Sequence, residues 1–456
     1  MNTRNQRFLM PWIVLAAIAL SLRAGTVLLL WSPEADIWTY EHGEIAENLL
    51  AGRGFSVRFL GDDGPTSQQA PLYPALLAGA YWGWGTASPA ALLAVQLLQC
   101  VAGTLLVLTV VWLCRALLPD EPLIGWIAGW GAAAYPTHVY MVTHIQVAVW
   151  TAWLLTLLLA VVLDRRIAGR GWTAAGAGLI AGLLLLFEPI MALAVPIAGI
   201  VLWRGSRRRR PVGAFLAVTL AVVSPWLVRN ALAHGEFVFV KSTFGYAFWQ
   251  GNNPASWGTD KIPKSQADQI ASQHDDSPAG VHEALWEARH ETVYIDDLLL
   301  KPDGYRQLAG LSEPEKSRRL GRQAAAFIRA APVRYLTLCA RRLRYFLLFD
   351  ETNPKTAHPA YRAATVLWLL LAAAGAVMLR RRWRELWPAV AVFVGIAAFH
   401  TFTIVSARFR IPVEPLSFVW CAAAVLAIWR GAVGRLRRID QTPHDTWQTG
   451  NTRRAA

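Results

Sequence analysis

The sequence predicts an all-α polytopic membrane protein with about ten transmembrane helices, interfacial helices and a large loop domain outside the membrane. Three observations support this fold class. Hydrophobic residues make up 55% of the 456 residues, and the mean hydropathy is +0.33, which is high for a soluble protein of this length. The apolar residues also form long blocks such as 12–30 and 90–111, close to the length that crosses a bilayer. These blocks lack the alternation of a β-barrel, so the backbone must satisfy itself in helices.

The third observation is the distribution of positive charge. The formal net charge is +14, and arginines are concentrated in short clusters between apolar blocks, at 165–170, 204–210, 380–384 and 435–438. Such clusters are typical of cytoplasmic loops in membrane proteins. Because each cluster adjoins a hydrophobic block, the charge does not indicate a nucleic-acid partner.

Placing the arginine clusters in the cytoplasm orients the chain, with both termini cytoplasmic. The predicted spans are 8–30, 89–118, 121–138, 142–163, 173–187, 189–203, 211–228, 361–380, 386–405 and 411–430. The predicted regions are a first transmembrane helix (1–30), a first periplasmic loop with interfacial helices (31–88), a transmembrane bundle (89–228), a periplasmic loop domain with an amphipathic surface helix (229–360), C-terminal transmembrane helices (361–430) and a disordered cytoplasmic tail (431–456).

Several segments outside the spans have a predicted local structure. Residues 71–85 open with prolines and are short, which favours an interfacial or re-entrant helix. Residues 332–349 alternate arginine with apolar residues at helical spacing, as in a helix lying on a membrane surface. Helices are also expected at 279–300 and 312–330, and a strand at 237–240.

The first outer loop carries several carboxylates directly after the first span. Glu34, Asp36, Glu41 and Glu44 lie in or beside a segment of helical character. A carboxylate at the membrane surface can act as a general base toward a hydroxyl group. A solvated acidic helix is the alternative interpretation.

Aromatic and amide side chains cluster after the seventh predicted span. Trp249 is followed by Asn252 and Asn253, a combination that suits a sugar because aromatic faces stack on the ring and amides bind hydroxyls. An interfacial aromatic belt would explain the same residues. Tyr73 and His400 complete the predicted sugar- and acceptor-binding set.

Arginines near the last outer turn run against the usual charge distribution. Arg408 and Arg410 lie on the predicted outer side, and arginine forks bind phosphate oxygens and stabilise a departing phosphate. Lys241 and Arg229 are further candidates for binding a lipid phosphate. Pairing with Glu414 or interaction with membrane lipids is the alternative.

Motifs in these clusters resemble those of GT-C glycosyltransferases, specifically the bacterial family that includes protein O-mannosyltransferases and the lipid A aminoarabinose transferase. The matching pieces, in order along nearly the whole chain, are Asp36 with ENLLAGRGFS, APLYPALL, AYP at 134–136, PWLVRN with GNNP, and ARFRIPVEP.

The resemblance implies an inverting transfer of a sugar from a polyprenyl-phosphate donor, on the periplasmic face of the bacterial inner membrane. The acceptor would be a lipid, a glycan or a protein. The resemblance makes Asp36 the catalytic base, with Glu34 ranked second and Glu41 and Glu44 behind it. It assigns the donor phosphate to Arg408 and Arg410. It implies no certain cofactor and leaves a divalent metal open.

The sequence departs from the family pattern at three places. His144 and Gln146 stand where many relatives carry a carboxylate, Glu188 precedes a proline where relatives often have arginine, and His42 replaces an expected tyrosine. The sugar and the acceptor are therefore left open. A flippase for lipid-linked glycans would need polar residues along several spans, and a non-catalytic assembly protein would be expected to lack the base.

Overall fold

The protein is a helical bundle with a small β-hairpin in its first outer loop. The computed structural model describes residues 3–33, 37–167, 170–206, 209–263, 277–290 and 292–440. The α-helices are α1 Thr3–Leu30, α2 Tyr40–Leu50, α3 Leu72–Trp84, α4 Pro89–Leu117, α5 Pro122–Ala134, α6 Pro136–Tyr140, α7 Ala148–Leu163, α8 Gly171–Phe187, α9 Ala194–Ser206, α10 Arg209–His234, α11 Phe244–Gly251, α12 Pro278–His290, α13 Ile295–Leu299, α14 Glu313–Ala330, α15 Pro332–Leu347, α16 Pro359–Met378, α17 Trp383–Phe402 and α18 Glu414–Asp440. The antiparallel hairpin pairs β1 Ser56–Phe59 with β2 Asp62–Pro65.

Within the described residues, six helices are long and apolar enough to cross a membrane. They are Leu9–Leu30, Pro89–Leu117, Arg210–His234, Pro359–Met378, Arg380–Phe402 and Glu414–Ala432, with shorter apolar helices at Ala148–Leu163, Trp172–Phe187 and Pro189–Gly205. The chain is therefore a multi-pass helical membrane protein, as predicted. The exact number of ten spans stays a prediction.

The predicted span 121–138 is wrong as a single helix. Helix α5 has 13 residues, a length of roughly 20 Å that does not cross a bilayer core of roughly 30 Å. It ends before Pro136, whose ring removes a backbone donor and breaks the helix. The chain resumes as the short α6, and the next long helix begins only at Ala148.

Arg23 fixes this break from inside the membrane. The side chain is fully buried and donates to the carbonyl oxygens of Ala132 (3.2 Å) and Ala133 (3.3 Å) at the end of α5. These carbonyls have no partner within the helix and carry the negative end of its dipole. Arg23 therefore stabilises the end of α5 and positions α6.

Close helix packing surrounds this region. Helix α4 packs against α1, α5 and α7. On the other side of the bundle, α16 and α18 approach so closely that a Cβ at Gly375 would lie 1.8 Å from the carbonyl oxygen of Trp420. Only glycine allows this approach.

The segments between the long apolar helices differ from several local predictions. Residues 237–240 form no strand, and the helix expected at 279–300 is divided into α12 and α13. The hairpin at 56–65 was not predicted. Helix α15 is amphipathic as expected, with Val333, Leu336 and Leu343 exposed. Helix α18 continues to Asp440, so the tail predicted to be disordered from 431 is helical over its first ten residues, and 441–456 lie outside the described residues.

Candidate functional site

A cavity of about 370 Å³ lies where the outer end of α1 meets the break after α5. Its apolar side is formed by Leu29, Leu30, Met141 and Ile411. The remaining wall comes from α6, the face of α12 that carries His282, and the segments at 353–361 and 406–408.

The charged residues that line this cavity are all basic among the described residues. Lys261, Lys355 and Arg408 line it, together with His144 and His282, and no described lining residue is an aspartate or glutamate. An apolar cavity with a positive wall is suited to an amphiphile that carries an anionic head group.

Arg408 is the predicted phosphate-binding residue that lies in the cavity. It belongs to the 3₁₀ turn Ala407–Phe409 and is exposed, with its guanidinium 5.4 Å from the ring centroid of Phe409. Its guanidinium makes no hydrogen bond or ion pair with the described part of the chain, although its backbone carbonyl accepts from the Ile411 N–H at 3.2 Å. Its donors are therefore available for an anion.

Arg410 does not line the cavity, and its geometry is that of a structural residue. It is 1% exposed, and its Nε donates to Glu414 Oε1 at 2.6 Å. Its other nitrogens donate to the carbonyl oxygens of Phe346 (3.1 Å) and Leu347 (2.8 Å) and to the hydroxyl of Tyr361 (3.3 Å). The guanidinium of Arg410 is therefore occupied within the protein, and its predicted phosphate role stays a prediction.

The partner of Arg410 links this turn to α6. Glu414 Oε2 lies 2.9 Å from Nε2 of His138, and the hydroxyl of Tyr135 lies 3.3 Å from Oε1. Arg410, Glu414 and His138 are all buried. They fix the position of Arg408 relative to α6.

A second group of polar residues forms the opposite part of the wall. The ammonium of Lys355 contacts Nε2 of His144, and the hydroxyl of Tyr140 lies 3.0 Å from Nδ1 of His282. Trp286 packs behind them, with its Nε1 donating to Nε2 of His282 at 3.0 Å. Lys355 is presented by the turn at Asn353, whose side chain accepts from the Lys355 backbone N–H at 3.2 Å.

His42 lies close to the predicted cations Lys241 and Arg408. It is buried, and its ring packs edge-on against Tyr73 with centroids 5.0 Å apart. Burial, followed by the charges of Lys241 and Arg408, lowers the pKa of His42 to about 3. Lys241 pairs with Glu188 at 3.6 Å and does not line the cavity.

Tyr73 does not line the cavity either, and its predicted sugar contact stays a prediction. It is fully buried, and its hydroxyl donates to Gln99 Oε1 at 2.8 Å. Gln99 in turn donates to the carbonyl oxygen of His144 at 2.8 Å. Tyr73 therefore supports the cavity wall from behind.

Arg229 belongs to a saturated network that we call the outer clamp. Its members are Thr66, Ser67, Arg229, Asn230, Ser242 and Glu313. Arg229 donates to the carbonyl oxygen of Phe55 at 2.7 Å, and Glu313 accepts from Thr66 Oγ1 (2.6 Å) and the Ser67 N–H (2.7 Å). The donors of Arg229 hold the 55–67 segment in place, and its predicted phosphate role stays a prediction.

The remaining predicted sugar-binding residues also make internal contacts. Asn252 donates to the carbonyl oxygen of Thr403 at 2.9 Å, and Asn253 donates to that of Trp249 at 2.9 Å. His400 bonds the carbonyl oxygen of Ile404 at 2.9 Å. All four predicted residues of this set, Trp249, Asn252, Asn253 and His400, are buried, and none of them lines the cavity. Their predicted role in sugar binding stays a prediction.

The predicted catalytic carboxylates fall into two groups. Glu34 and Asp36 lie outside the described residues. The chain before and after them, at Leu30 and Tyr40, lines the cavity. Glu44 is exposed, and its Oε1 accepts from the backbone N–H of Arg58 at 2.8 Å. Glu44 does not line the cavity and supports the hairpin, and its role as a base stays a prediction.

Sequence reasoning missed Tyr140, His282 and Lys355 as residues of the cavity. Tyr140 follows the AYP piece by four residues, and His144 was noticed only as a departure from the family pattern. Lys355 follows a short Asn-Pro turn and has no distinctive spacing, so no local signal marked it. In the part of the chain that is described, no group of three or more His, Cys, Asp or Glu is arranged to hold a metal ion.

The helices define a polytopic membrane protein, which confirms the predicted all-α membrane fold. The chain superimposes on the oligosaccharyltransferase AglB from Archaeoglobus fulgidus in complex with an inhibitory peptide and a dolichol-phosphate. The TM-score is 0.50 at 14% identity, covering 98% of this chain and 53% of AglB. The apo form of the same enzyme gives 0.50 at 14% identity, covering 96% and 52%. The chain thus spans about half the length of AglB.

ArnT from Cupriavidus metallidurans, bound to undecaprenyl phosphate, matches over 95% of this chain and 81% of ArnT, at 14% identity. Its TM-score is 0.42, so the fold assignment rests on AglB. Neither the protein-family models nor the curated protein sequences compared with the chain give a match.

Proposed function

We propose that the protein is an inverting membrane glycosyltransferase, which transfers a sugar from a polyprenyl-phosphate donor to a lipid, glycan or protein acceptor. The observation that carries the proposal is the cavity at the outer end of α1, in which Arg408 has no described protein partner beside an apolar wall. AglB, which shares the fold, has a structure with a dolichol-phosphate. An arginine beside an apolar wall suits the same type of ligand.

In the proposed reaction the donor phosphate lies against Arg408 and its hydrocarbon chain lies along the apolar wall. A bidentate guanidinium neutralises the charge that develops as the phosphate leaves. Asp36 remains the proposed base, with Glu34 second. It accepts the proton of the acceptor hydroxyl as that oxygen attacks the anomeric carbon and the carbon–phosphate oxygen bond breaks. Inversion follows from this single displacement.

We propose that the cavity faces the periplasm of a bacterial inner membrane and that both termini are cytoplasmic. The distribution of arginine supports this orientation. The clusters at 165–170, 204–210 and 380–384 all adjoin apolar helices at the same end of the proposed bundle, and such clusters are typical of the cytoplasmic end. The cavity would then lie at the opposite membrane surface. Accessibility of single cysteines introduced at 235 and 382 to an impermeant reagent in intact cells tests this orientation.

Transfer from a panel of radiolabelled polyprenyl-phosphate sugars tests the activity. The purified protein should release the polyprenyl phosphate and transfer or hydrolyse at least one sugar. Asp36→Asn should lower the rate by at least about a hundredfold, because the acceptor loses its base. Glu44→Gln is the matched control and should retain the native rate, since Glu44 only caps the hairpin.

The outcome separates the alternatives. Equal turnover by Asp36→Asn and the native protein would remove Asp36 from its role. Translocation of the lipid-linked sugars between leaflets without any cleavage would overturn the transferase and favour a flippase.

A further inference from the structure

Helix α15 has the reverse of the polarity expected for a helix that packs on a protein and faces water. Its outward face carries Val333, Leu336 and Leu343, which are 77%, 65% and 43% exposed. These residues are three and seven positions apart, so they lie on one side of the helix. Its inward face carries Arg342, which is fully buried. An exposed apolar face of this kind marks an interaction surface.

The buried arginine fixes the orientation of α15. The guanidinium of Arg342 donates to the carbonyl oxygens of Thr401 (2.7 Å) and Gly251 (2.9 Å) and to Oδ1 of Asn252 (3.1 Å). Rotating the helix to bury its apolar face would break all three hydrogen bonds and leave their acceptors without a donor. The apolar face therefore points away from the protein.

The apolar face of α15 adjoins the end of a spanning helix. Helix α15 packs against α17, and the hydroxyl of Tyr335 donates to the carbonyl oxygen of Phe402, the last residue of α17, at 3.1 Å. Phe402 is 55% exposed, and the segment Arg380–Phe402 is long and apolar enough to cross a membrane. The apolar face thus continues the surface of a membrane helix, which favours lipid as its occupant.

Basic residues accompany this apolar face. The segment 329–351 contains five arginines and two carboxylates. Arg341 and Arg344 are three residues apart and lie on the same side of α15. The guanidinium of Arg341 lies 4.4 Å from the ring centroid of Trp257, and Arg344 pairs with Glu351, both side chains being about half exposed. An ion pair at such exposure contributes little, so a lipid phosphate can compete for Arg344.

We infer that α15 is a binding surface for anionic phospholipid. The exposed apolar face inserts among the acyl chains, while Arg341 and Arg344 contact the phosphate groups along one edge of the helix. A basic amphipathic helix binds a bilayer through both of these contributions. A zwitterionic lipid satisfies the apolar face alone, so the arginines set a preference for a head group with net negative charge.

The same helix supports the turn that carries Arg408. The carbonyl oxygens of Phe346 and Leu347, in the last turn of α15, accept from Arg410 at 3.1 and 2.8 Å. Carbonyls at this end of a helix lack intrahelical partners and carry the negative end of the helix dipole. A lipid that holds α15 in place therefore also holds Arg410, two residues from Arg408. This consequence rests on the proposed function, whereas the lipid-binding surface does not.

Quenching of a fluorophore by brominated lipid tests the surface on the full-length protein. A bimane label at Leu336→Cys reports contact with lipid, and the same label at Asp63→Cys, in the exposed hairpin turn, is the positional control. The unsubstituted protein, whose four cysteines are buried, gives the labelling background. The nanodiscs contain phosphatidylcholine and a minor fraction of brominated phosphatidylglycerol or brominated phosphatidylcholine.

Both brominated lipids should quench the label at 336 and leave the label at 63 unquenched. The relative binding constant at 336 should favour phosphatidylglycerol about fivefold, the contribution of one cationic residue near an anionic surface. High salt should weaken this preference by screening the charges. Under the proposed function, sugar transfer should also be about threefold slower in phosphatidylcholine alone, since the turn at Arg408 is held less firmly.

Charge variants identify the residues that set the preference. Arg341→Gln combined with Arg344→Gln should abolish the preference for phosphatidylglycerol while phosphatidylcholine still quenches the label at 336. Arg341→Lys combined with Arg344→Lys keeps the charge and should retain most of the preference. Arg381→Gln combined with Arg384→Gln removes the same charge near the opposite end of α17 and should retain the native preference.

Each outcome supports or overturns a defined part of the inference. Absence of quenching at 336 by either lipid would overturn the surface and favour a second protein or a second copy as its occupant. Equal binding of both lipids by the native protein would overturn the anionic preference. Selective lipid binding with a rate of transfer that no lipid alters would support the surface and remove its effect on Arg408. Selective lipid binding by a protein that transfers no sugar would count against the proposed function alone.

Discussion

The cavity wall around Arg408 and the outer clamp around Glu313 use the same kinds of side chain in opposite ways. In the clamp, Arg229 and Glu313 are surrounded by protein donors and acceptors, including two backbone carbonyls and one backbone N–H. In the cavity, Arg408 faces the open space without a described partner. Both regions lie at the ends of helices that can span a membrane, so this position does not separate them.

The difference shows how to distinguish a structural charge from a functional one at a membrane boundary. A charge that the protein saturates holds two segments together, and its removal costs stability. A charge that the protein leaves without a partner is available to a ligand, and its removal costs binding or rate. The pair Arg408 and Arg410, two residues apart, makes the same contrast within one turn.

The largest effect is expected at Arg410. Arg410→Met should lower the free energy of unfolding by about 3–5 kcal/mol, because Glu414 would be left buried without its cation. Thermal or denaturant unfolding in detergent measures this loss. Arg408→Met is the matched control and should unfold like the native protein. Equal destabilisation by the two variants would contradict the assignment of separate roles.

The next effect is on the rate of transfer. Arg408→Gln should reduce the turnover number by about a hundredfold, the value typical of one lost donor at a developing negative charge. Arg229→Gln should instead reduce the yield of folded protein and leave the rate per folded molecule near native. The two quantities are separated by normalising transfer to the folded fraction from size-exclusion chromatography. A full rate for Arg408→Gln would remove it from the site.

The free energy of unfolding should also decrease as the pH is lowered, because of the buried His42. The folded-state pKa of His42 is about 3, below its ordinary value of 6.5, because burial and then the charges of Lys241 and Arg408 disfavour its protonation. The unfolded chain therefore binds the proton first, and stability is fully present above pH 6.5 and is lost as the pH falls toward 3. Between pH 7 and pH 5 the loss from His42 is about 2 kcal/mol.

His42→Gln should flatten this dependence when unfolding is measured across that pH range. His282, whose pKa is lowered to about 4 by burial and by Lys355, contributes in the same direction and should leave a residual slope. A pH dependence unchanged by His42→Gln would show that another group is responsible.

The smallest effect is expected in the outer clamp. Glu313→Gln should lower the free energy of unfolding by about 1.5 kcal/mol, since an amide replaces a carboxylate that accepts from Thr66, Ser67 and Ser242. The exposed Glu283→Gln is the control and should leave unfolding unchanged. Loss of transfer activity in Glu313→Gln at native stability would place the clamp in the catalytic site and break the comparison.

The fold was more predictable from the sequence than the site. Lengths of apolar blocks and arginine clusters depend on local composition, which a single chain displays directly. The break at Tyr135–Pro136 was missed because the apolar pattern continues across it, although Pro136 marks the position.

The site depended on contacts between distant segments. The sequence does not distinguish Arg408 from Arg410. Only the structure shows that the guanidinium of Arg410 is occupied, because it donates to the carbonyl oxygens of Phe346 and Leu347. Lys355 and His282 meet at the cavity from segments that are more than 60 residues apart and carry no common motif. Asn252 and Asn253 have side chains of a type that binds sugars, but their amide groups donate hydrogen bonds to backbone carbonyl oxygens.

Leu29 is 63% exposed and also forms part of the cavity wall. One wall of the cavity is therefore a helix that is largely exposed on the surface of the protein. Under the proposed function, a long isoprenoid donor would diffuse within its leaflet, insert its head group sideways past α1 and leave its tail in the lipid. Such a route would avoid the free-energy cost of extracting each methylene of the tail into water.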